Sequence, residues 1–322
     1  MQKEVRLFER ILSVGSEEML PPLQSLASAE WLDFWLNPRR LRGSDFLMRW
    51  SQGVWSENRM VQAIHQTGEY FAIPYGPSGV APDDDIREAE LYFERLEAAG
   101  LGQQKRPDLL VFEASARQEI HALLNDIGGW AELPFLAENE TIIQSILGQA
   151  ILAIECENSL WVGKQMPDYG APLTPQRRLG GKPGLKKNAV LPTIILKEED
   201  IQPLLTWQAS HGIPIHIWHV FYDLAFGIAL NEALRLIQEG LILPTEQVFQ
   251  APGGAVTQKS IYKIYHHYAY LVGEAIQEPE LVAKYIQDKN GHILPYVHFE
   301  GGRMELMTDA LNVLKTMRHD KS

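Results

Sequence analysis

The chain has 322 residues, 45% of them hydrophobic and 22% charged, an ordinary globular composition with enough apolar material for a large core. Its formal net charge of −12 excludes a uniformly basic protein that coats nucleic acid without selectivity, although positive charge can still gather on one surface. A single cysteine, Cys156, excludes an intramolecular disulfide and points to a reducing compartment. The opening stretch MQKEVRLFERILSVGSEEML carries charges throughout and lacks the apolar centre of a signal peptide. No run approaches the roughly 20 apolar residues of a membrane span, so the expectation is a soluble, cytoplasmic protein.

In chain order, residues 1–45 read as helices and connecting loops, an N-terminal segment packed on the core. Residues 46–66 read as a helix, with Trp50, Val54, Val61 and Ile64 at helical spacing. EYFAIPYGPSGVAP reads as a short strand ending in a turn-rich loop. DDDIREAELYFERLEAAG reads as a helix, with acids in its first turn and Gly100 at its stop. RPDLLVFEA fits a buried strand, ETIIQSILGQ a helix, and AILAIECEN a second strand. MPDYGAPLTPQRRLGGKPGLKKN is dense in Pro and Gly and reads as a long loop, a length that is uncommon unless it has a function.

AVLPTIILK is a further strand, and EEDIQPLLTWQASHG a helix closed by Gly212. IPIHIWHVFYDLAFGIAL starts as a strand and is expected to become a helix, with NEALRLIQEG ending at Gly240. After the loop FQAPGGAVTQ, the spacing of Tyr262, Tyr265 and Tyr268 predicts a helix over KSIYKIYHHYAYLVGEAI, and ILPYVHFEGG is strand-like. This mixed order predicts an α/β or α+β core wrapped in helices.

Positive charge is gathered in two places. From Tyr169 to Lys197 there is no acid but six basic residues: Arg177, Arg178, Lys182, Lys186, Lys187 and Lys197. The stretch NPRRLRGSDFLMRW sets Arg39, Arg40, Arg42 and Arg49 against one aspartate, Asp45. A solvated loop is the ordinary explanation of either cluster. In so acidic a protein the imbalance favours a surface that faces phosphate. Thr257, Gln258 and Lys259, placed in a loop ahead of a helix, are candidates for contacts to phosphate or base edges.

Negative charge is gathered more tightly. Asp108 opens its strand after Pro107, and Glu155 and Glu157 flank Cys156 at the end of theirs. Alternation across a strand puts Glu155 and Glu157 on one face and Cys156 on the other, with Ile151 and Ala153 ahead of the glutamates in register. An edge strand with both glutamates turned to solvent explains an isolated E-x-E pair. Two carboxylates that end an apolar strand are costly to bury unless positive charge is supplied. Three carboxylates at two neighbouring strand ends would make a hard oxygen site, suited to Mg2+ rather than zinc.

These segments resemble the PD-(D/E)xK nuclease superfamily, type II restriction endonucleases in particular. Pro107–Asp108 matches its first half, and Glu155–Cys156–Glu157 its second, with Glu157 where the motif has lysine. The match spans roughly residues 46–230. The resemblance implies a central mixed β-sheet of the restriction-endonuclease-like type flanked by helices. It implies a catalytic domain over 46–322 whose C-terminal elements recognise DNA. The implied activity is Mg2+-dependent, sequence-specific cleavage of double-stranded DNA by a homodimer. Asp108 and Glu155 would hold the metal, Glu157 would act as base or ligand, and Glu57 on the first helix would face the site. Lys164 is one candidate for the missing positive charge. A repair or structure-selective nuclease on the same core, and a non-catalytic DNA-binding protein with a degenerate core, remain alternatives. His216 and His219, with one cysteine and no third ligand at fixed spacing, do not make a zinc signature.

Overall fold

A computed structural model describes residues 44–76, 92, 94–101, 105–250, 256–287 and 293–319. The expected N-terminal segment 1–45 lies almost wholly outside these residues. Arg39, Arg40, Arg42 and residues 251–255 of the loop FQAPGGAVTQ also lie outside them.

The core is a curled, mixed seven-stranded sheet, with strands in the order β1-β2-β3-β7-β8-β11-β12. Its strands are β1 (Tyr70–Pro74), β2 (Leu109–Glu113), β3 (Leu152–Asn158), β7 (Ile215–Val220), β8 (Leu224–Ala229), β11 (Tyr270–Gln287) and β12 (Ile293–Leu306). Only the β3–β7 pair is parallel; the other neighbours are antiparallel. A three-stranded sheet, β6-β10-β9, joins β6 (Thr193–Lys197), β9 (Pro244–Gln250) and β10 (Val256–Tyr265). A two-stranded ribbon, β4 (Thr174–Pro175) with β5 (Pro183–Gly184), lies inside the long basic loop.

Helices cover both faces of the large sheet, so the fold is α+β in three layers. α1 (Ser44–Gln66) and α6 (Thr308–His319) lie on one face, where Met60, Ile64, Ala310 and Leu314 pack on Ile154, Cys156 and Trp218. The other face takes α2 (Arg117–Asp126), α3 (Thr141–Gln149), α4 (Glu198–His211), α5 (Leu230–Gln238) and the small sheet. β3 serves both cores by alternation: Leu152, Ile154 and Cys156 enter the first, Ala153 the second. Ile151 precedes the strand and turns into the first core, not into the glutamates' face. Among the described residues no helix is long and apolar enough to cross a membrane.

Two stretches depart from the sequence reading. The apolar run after His211 is a hairpin, β7–β8, rather than a strand passing into a helix; the helix α5 starts only at Leu230. An apolar run long enough for either state carries no period to separate them. Tertiary contacts supply the turn. Asp223 accepts the backbone N–H groups of Gly163 and Lys164, at 2.5 and 3.0 Å. Residues 256–276 are likewise strands, β10 and the start of β11, joined by a short 3-10 turn over His266–Tyr268. Tyr262, Tyr265 and Tyr268 are spaced as a helix would space them, yet the β-branched and aromatic content suits the pleat. Thr257, Gln258 and Lys259 therefore sit in β10, paired with Phe249, Val248 and Gln247 of β9, not in a loop before a helix.

The hairpin also explains Gly227. Trp218 Nε1 and His216 Nδ1 both meet the Tyr270 hydroxyl, at 2.8 and 2.7 Å, which draws that ring across β8. A Cβ at residue 227 would lie 2.7 Å from Tyr270 Cζ and 2.8 Å from Trp218 Cδ1. Gly227→Ala is expected to lower stability by ~1–3 kcal/mol through overpacking, read as a fall in urea midpoint at unchanged slope.

Candidate metal centre

Strand pairing brings the sequence-predicted acids together. Leu109 pairs with Ile154 across β2–β3, so Asp108, one residue before β2, reaches the end of β3. Its Oδ2 accepts the Cys156 backbone N–H at 2.7 Å. The approach depends on Gly76. The backbone N–H groups of Tyr75 and Gly76 both meet the Asp108 carbonyl, and a Cβ on Gly76 would lie 2.9 Å from the Pro107 oxygen. Arg106 braces the same segment from a buried position, donating to the carbonyls of Leu136 (2.7 Å) and Leu133 (3.3 Å) and lying 3.2 Å from Glu138.

Glu155 and Glu157 share the face of β3 opposite Cys156, and parallel pairing sets them beside Ile217 and His219 of β7. They meet a third acid that the sequence reading missed. Asp200, in the first turn of α4, completes a group whose ligand oxygens all lie within 4.8 Å of one another. This acidic group, buried at Glu155 and half-buried at Glu157 and Asp200, could hold a metal ion. Asp108 borders it with one oxygen committed to the Cys156 N–H, so the converging set is Glu155, Glu157 and Asp200 rather than Asp108 and Glu155 alone. Glu57 is buried, at 7% exposure. It stands on α1, on the Cys156 side of β3, and is not one of the three converging groups.

Two lysines supply positive charge. Lys105 pairs with Glu155 Oε1. Lys197, the last residue of β6, lies 2.5 Å from Glu157 Oε1 and 3.8 Å from Asp200 Oδ2. Lys164 does not take this part: half exposed, it pairs with Glu274 of β11 at 2.9 Å. Counting Asp108, Glu155, Glu157 and Asp200 against Lys105 and Lys197 gives four negative charges and two positive, a formal balance of −2.

Burial dominates the electrostatics. It pushes the Glu155 carboxyl well above the usual range, Asp108 adds to the rise, and Lys105 opposes it. Burial also raises Glu157, against the opposing charge and hydrogen bond of Lys197. For Lys105, burial works against the ammonium, but Glu155, Asp108 and Asp200 outweigh it and hold the proton on. Glu155 is 4% exposed, and its Oε2 has no hydrogen-bond partner. An orphaned buried carboxylate oxygen is costly unless a cation or a proton reaches it. Three hard oxygen donors without nitrogen or sulfur fit Mg2+, Mn2+ or Ca2+ better than zinc.

The remaining candidates are dispersed. His216 and His219 lie three apart on β7, hence on opposite faces. His219 stacks on Phe221 with ring centroids 4.6 Å apart, and burial drives its pKa down to about 3. The Cys156 thiol lies in the α1 core, where burial and then Glu57 push its pKa well up, which makes it a poor nucleophile.

In the basic loop, Arg177, Arg178, Lys182, Lys186 and Lys187 are all exposed. Arg178 donates to the Leu185 carbonyl and the Tyr265 hydroxyl, Lys182 meets the Glu239 carbonyl, and Lys186 pairs with Asp168 at 2.8 Å. Lys259 pairs with Glu199. Asp200 and the two lysines left little local signal. Acids opening α4 read equally well as compensation of the helix dipole, and the lysines are far from their partners in sequence.

Comparison with family models, with curated proteins and with solved structures finds no match to this chain.

Proposed function

We propose that the chain is a divalent-metal-dependent phosphodiesterase acting on double-stranded DNA, of the restriction-endonuclease-like type, with Mg2+ as the physiological ion. The observation that carries the reading is the buried Glu155 oxygen without a partner, inside a group of three converging carboxylates. Support also comes from the order of elements around it: helix α1, the antiparallel strands β1, β2 and β3 with α2 and α3 between the last two, then the β4–β5 ribbon, β6, helix α4 and β7, which is parallel to β3. That order sets the Pro107–Asp108 strand beside the Glu155–Cys156–Glu157 strand, as the motif resemblance requires.

Glu155, Glu157 and Asp200 would hold the ion, with Asp108 at the border orienting the end of β3. When bound, the ion would neutralise a phosphodiester oxygen and lower the pKa of a water. In the alternative role that the motif resemblance allows, Glu157 would accept the proton of the attacking water, with Glu155 and Asp200 holding the ion. Lys105 and Lys197 bring the positive charge that the motif's lysine would bring, from other parts of the chain.

The basic loop would track the backbone. Tyr265, which holds Arg178, pairs with Thr193 at the far end of β6 from Lys197. Four residues of strand separate them by roughly 13 Å, or about four base steps. A homodimer acting on a palindromic site follows from the family resemblance.

The test is a digest of unmethylated DNA with Mg2+, Mn2+ or no metal, comparing the wild type with Asp200→Ala and Glu155→Ala. A discrete, metal-dependent fragment ladder from the wild type alone is expected. An unresolved smear in place of the ladder would favour a repair or structure-selective nuclease. Intact DNA in every lane, with retained DNA binding, would favour the non-catalytic reading.

A further inference from the structure

We propose that Lys105 and Lys197 act as built-in stand-ins for the cation, occupying the acidic cluster until a divalent ion displaces them outward to grip the phosphate. The inference rests on the metal reading above and concerns what the cluster does before the ion arrives.

Three atoms mutually within 4.8 Å share a point no farther than about 2.8 Å from each, close to the ~2.0–2.6 Å that hard cations take from oxygen. The lysines already contact this small volume. The Lys197 ammonium is 2.5 Å from Glu157 and 3.8 Å from Asp200, and the Lys105 ammonium contacts Glu155. Each of the three converging acids therefore faces an ammonium. A dication entering the same volume would stand a few ångströms from both ammonium groups, so the ion and the lysines compete for the same three carboxylates.

The charge balance shows why displacement need not be complete. Four carboxylates and two ammonium groups leave a formal −2, which a divalent ion neutralises with both lysines still nearby. The lysines also have somewhere to go. Their side chains keep 28% and 26% exposure, whereas Glu155 keeps 6%, so the lysine side chains reach solvent where the acid does not. Long flexible stems let an ammonium swing by several ångströms without moving the backbone. Turned outward, each would meet the anionic substrate beside the ion.

Isothermal titration with Mn2+ in the absence of DNA tests the idea, on full-length wild type, Lys105→Met, Lys197→Met, Lys197→Arg and Glu155→Gln. Competition predicts about tenfold tighter Mn2+ binding by each methionine variant, near-wild-type binding by Lys197→Arg, and no measurable binding by Glu155→Gln. Far-UV circular dichroism confirms that each variant is folded. Unchanged or weaker binding by both methionine variants, with binding still lost in Glu155→Gln, would overturn the competition and leave the metal site standing. Absence of Mn2+ binding in every protein would overturn the metal site as well.

Discussion

Glu155→Gln raises the melting temperature of the metal-free protein at pH 8 and abolishes its response to divalent cations. In the folded state the Glu155 carboxyl has a pKa well above the ordinary 4.5, chiefly because it is buried and secondarily because Asp108 is near. A carboxyl shifted upward binds a proton in the folded state that the unfolded chain has already released. Stability therefore falls as pH rises from the unfolded value through the raised one, and the full penalty is present above it. Glutamine keeps the shape and discards the charge, so the metal-free variant gains stability at pH 8 and loses that advantage toward pH 4. Each kcal/mol recovered is worth about 2–4 °C in a domain of somewhat smaller size.

Adding Mg2+ or Mn2+ should stabilise the wild type by mass action and leave the variant unmoved. Cleavage should fall by on the order of 10^3 or more, the scale of losing a group that stabilises charge in the transition state. Calorimetry with EDTA and with metal, at pH 5 and pH 8, reads all but the last. A variant less stable than the wild type at pH 8 in EDTA would mean that the Lys105 pairing outweighs the burial cost.

The same balance explains how far the site was legible in the sequence. Asp108, Glu155 and Glu157 could be read because each sits at the end of a short apolar strand, where a carboxylate is conspicuous and alternation fixes its face. Strand pairing did the rest, since Leu109 opposite Ile154 leaves Asp108 nowhere to go but the end of β3. Asp200, Lys105 and Lys197 were not legible as a group. They reach the site through the packing of the small sheet and α4 on the large one, and no local spacing encodes that. The choice of Lys164 as a candidate shows the limit: it is near Glu157 in sequence, but its ammonium pairs with Glu274 on β11. The two misread stretches have one origin. Tyr262, Tyr265 and Tyr268, and the run from Ile213 to Leu230, are apolar or aromatic enough for either state, and long-range pairing with β6 and β11 decides. The basic loop was read correctly as a loop, yet its anchoring by Tyr265, His267 and Tyr268 depends on that same β10–β11 turn.

Arg59→Met should cost ~3–5 kcal/mol of stability, the largest single loss expected outside the apolar core. Arg59 lies on α1, is 2% exposed, and donates to the carbonyls of Phe221 and Tyr222 at 2.8 and 3.0 Å. Its guanidinium also lies 3.8 Å from the Trp55 ring centroid. Burial lowers its pKa to about 10, which leaves it fully charged at neutral pH. The two carbonyls belong to the turn between β7 and β8, the turn the sequence failed to reveal. Each would lose a charged donor, at about 1–3 kcal/mol for every buried acceptor left unsatisfied, and the stacking on Trp55 would be lost with them. Because β7 is the parallel partner of β3, loosening this turn also loosens the strand beside Glu155 and Glu157. Arg59→Lys retains charge but not the planar fork, so it should recover only part of the loss. Urea denaturation of the two variants separates these contributions. A loss below about 1 kcal/mol for Arg59→Met would mean that α1 does not hold the hairpin in place.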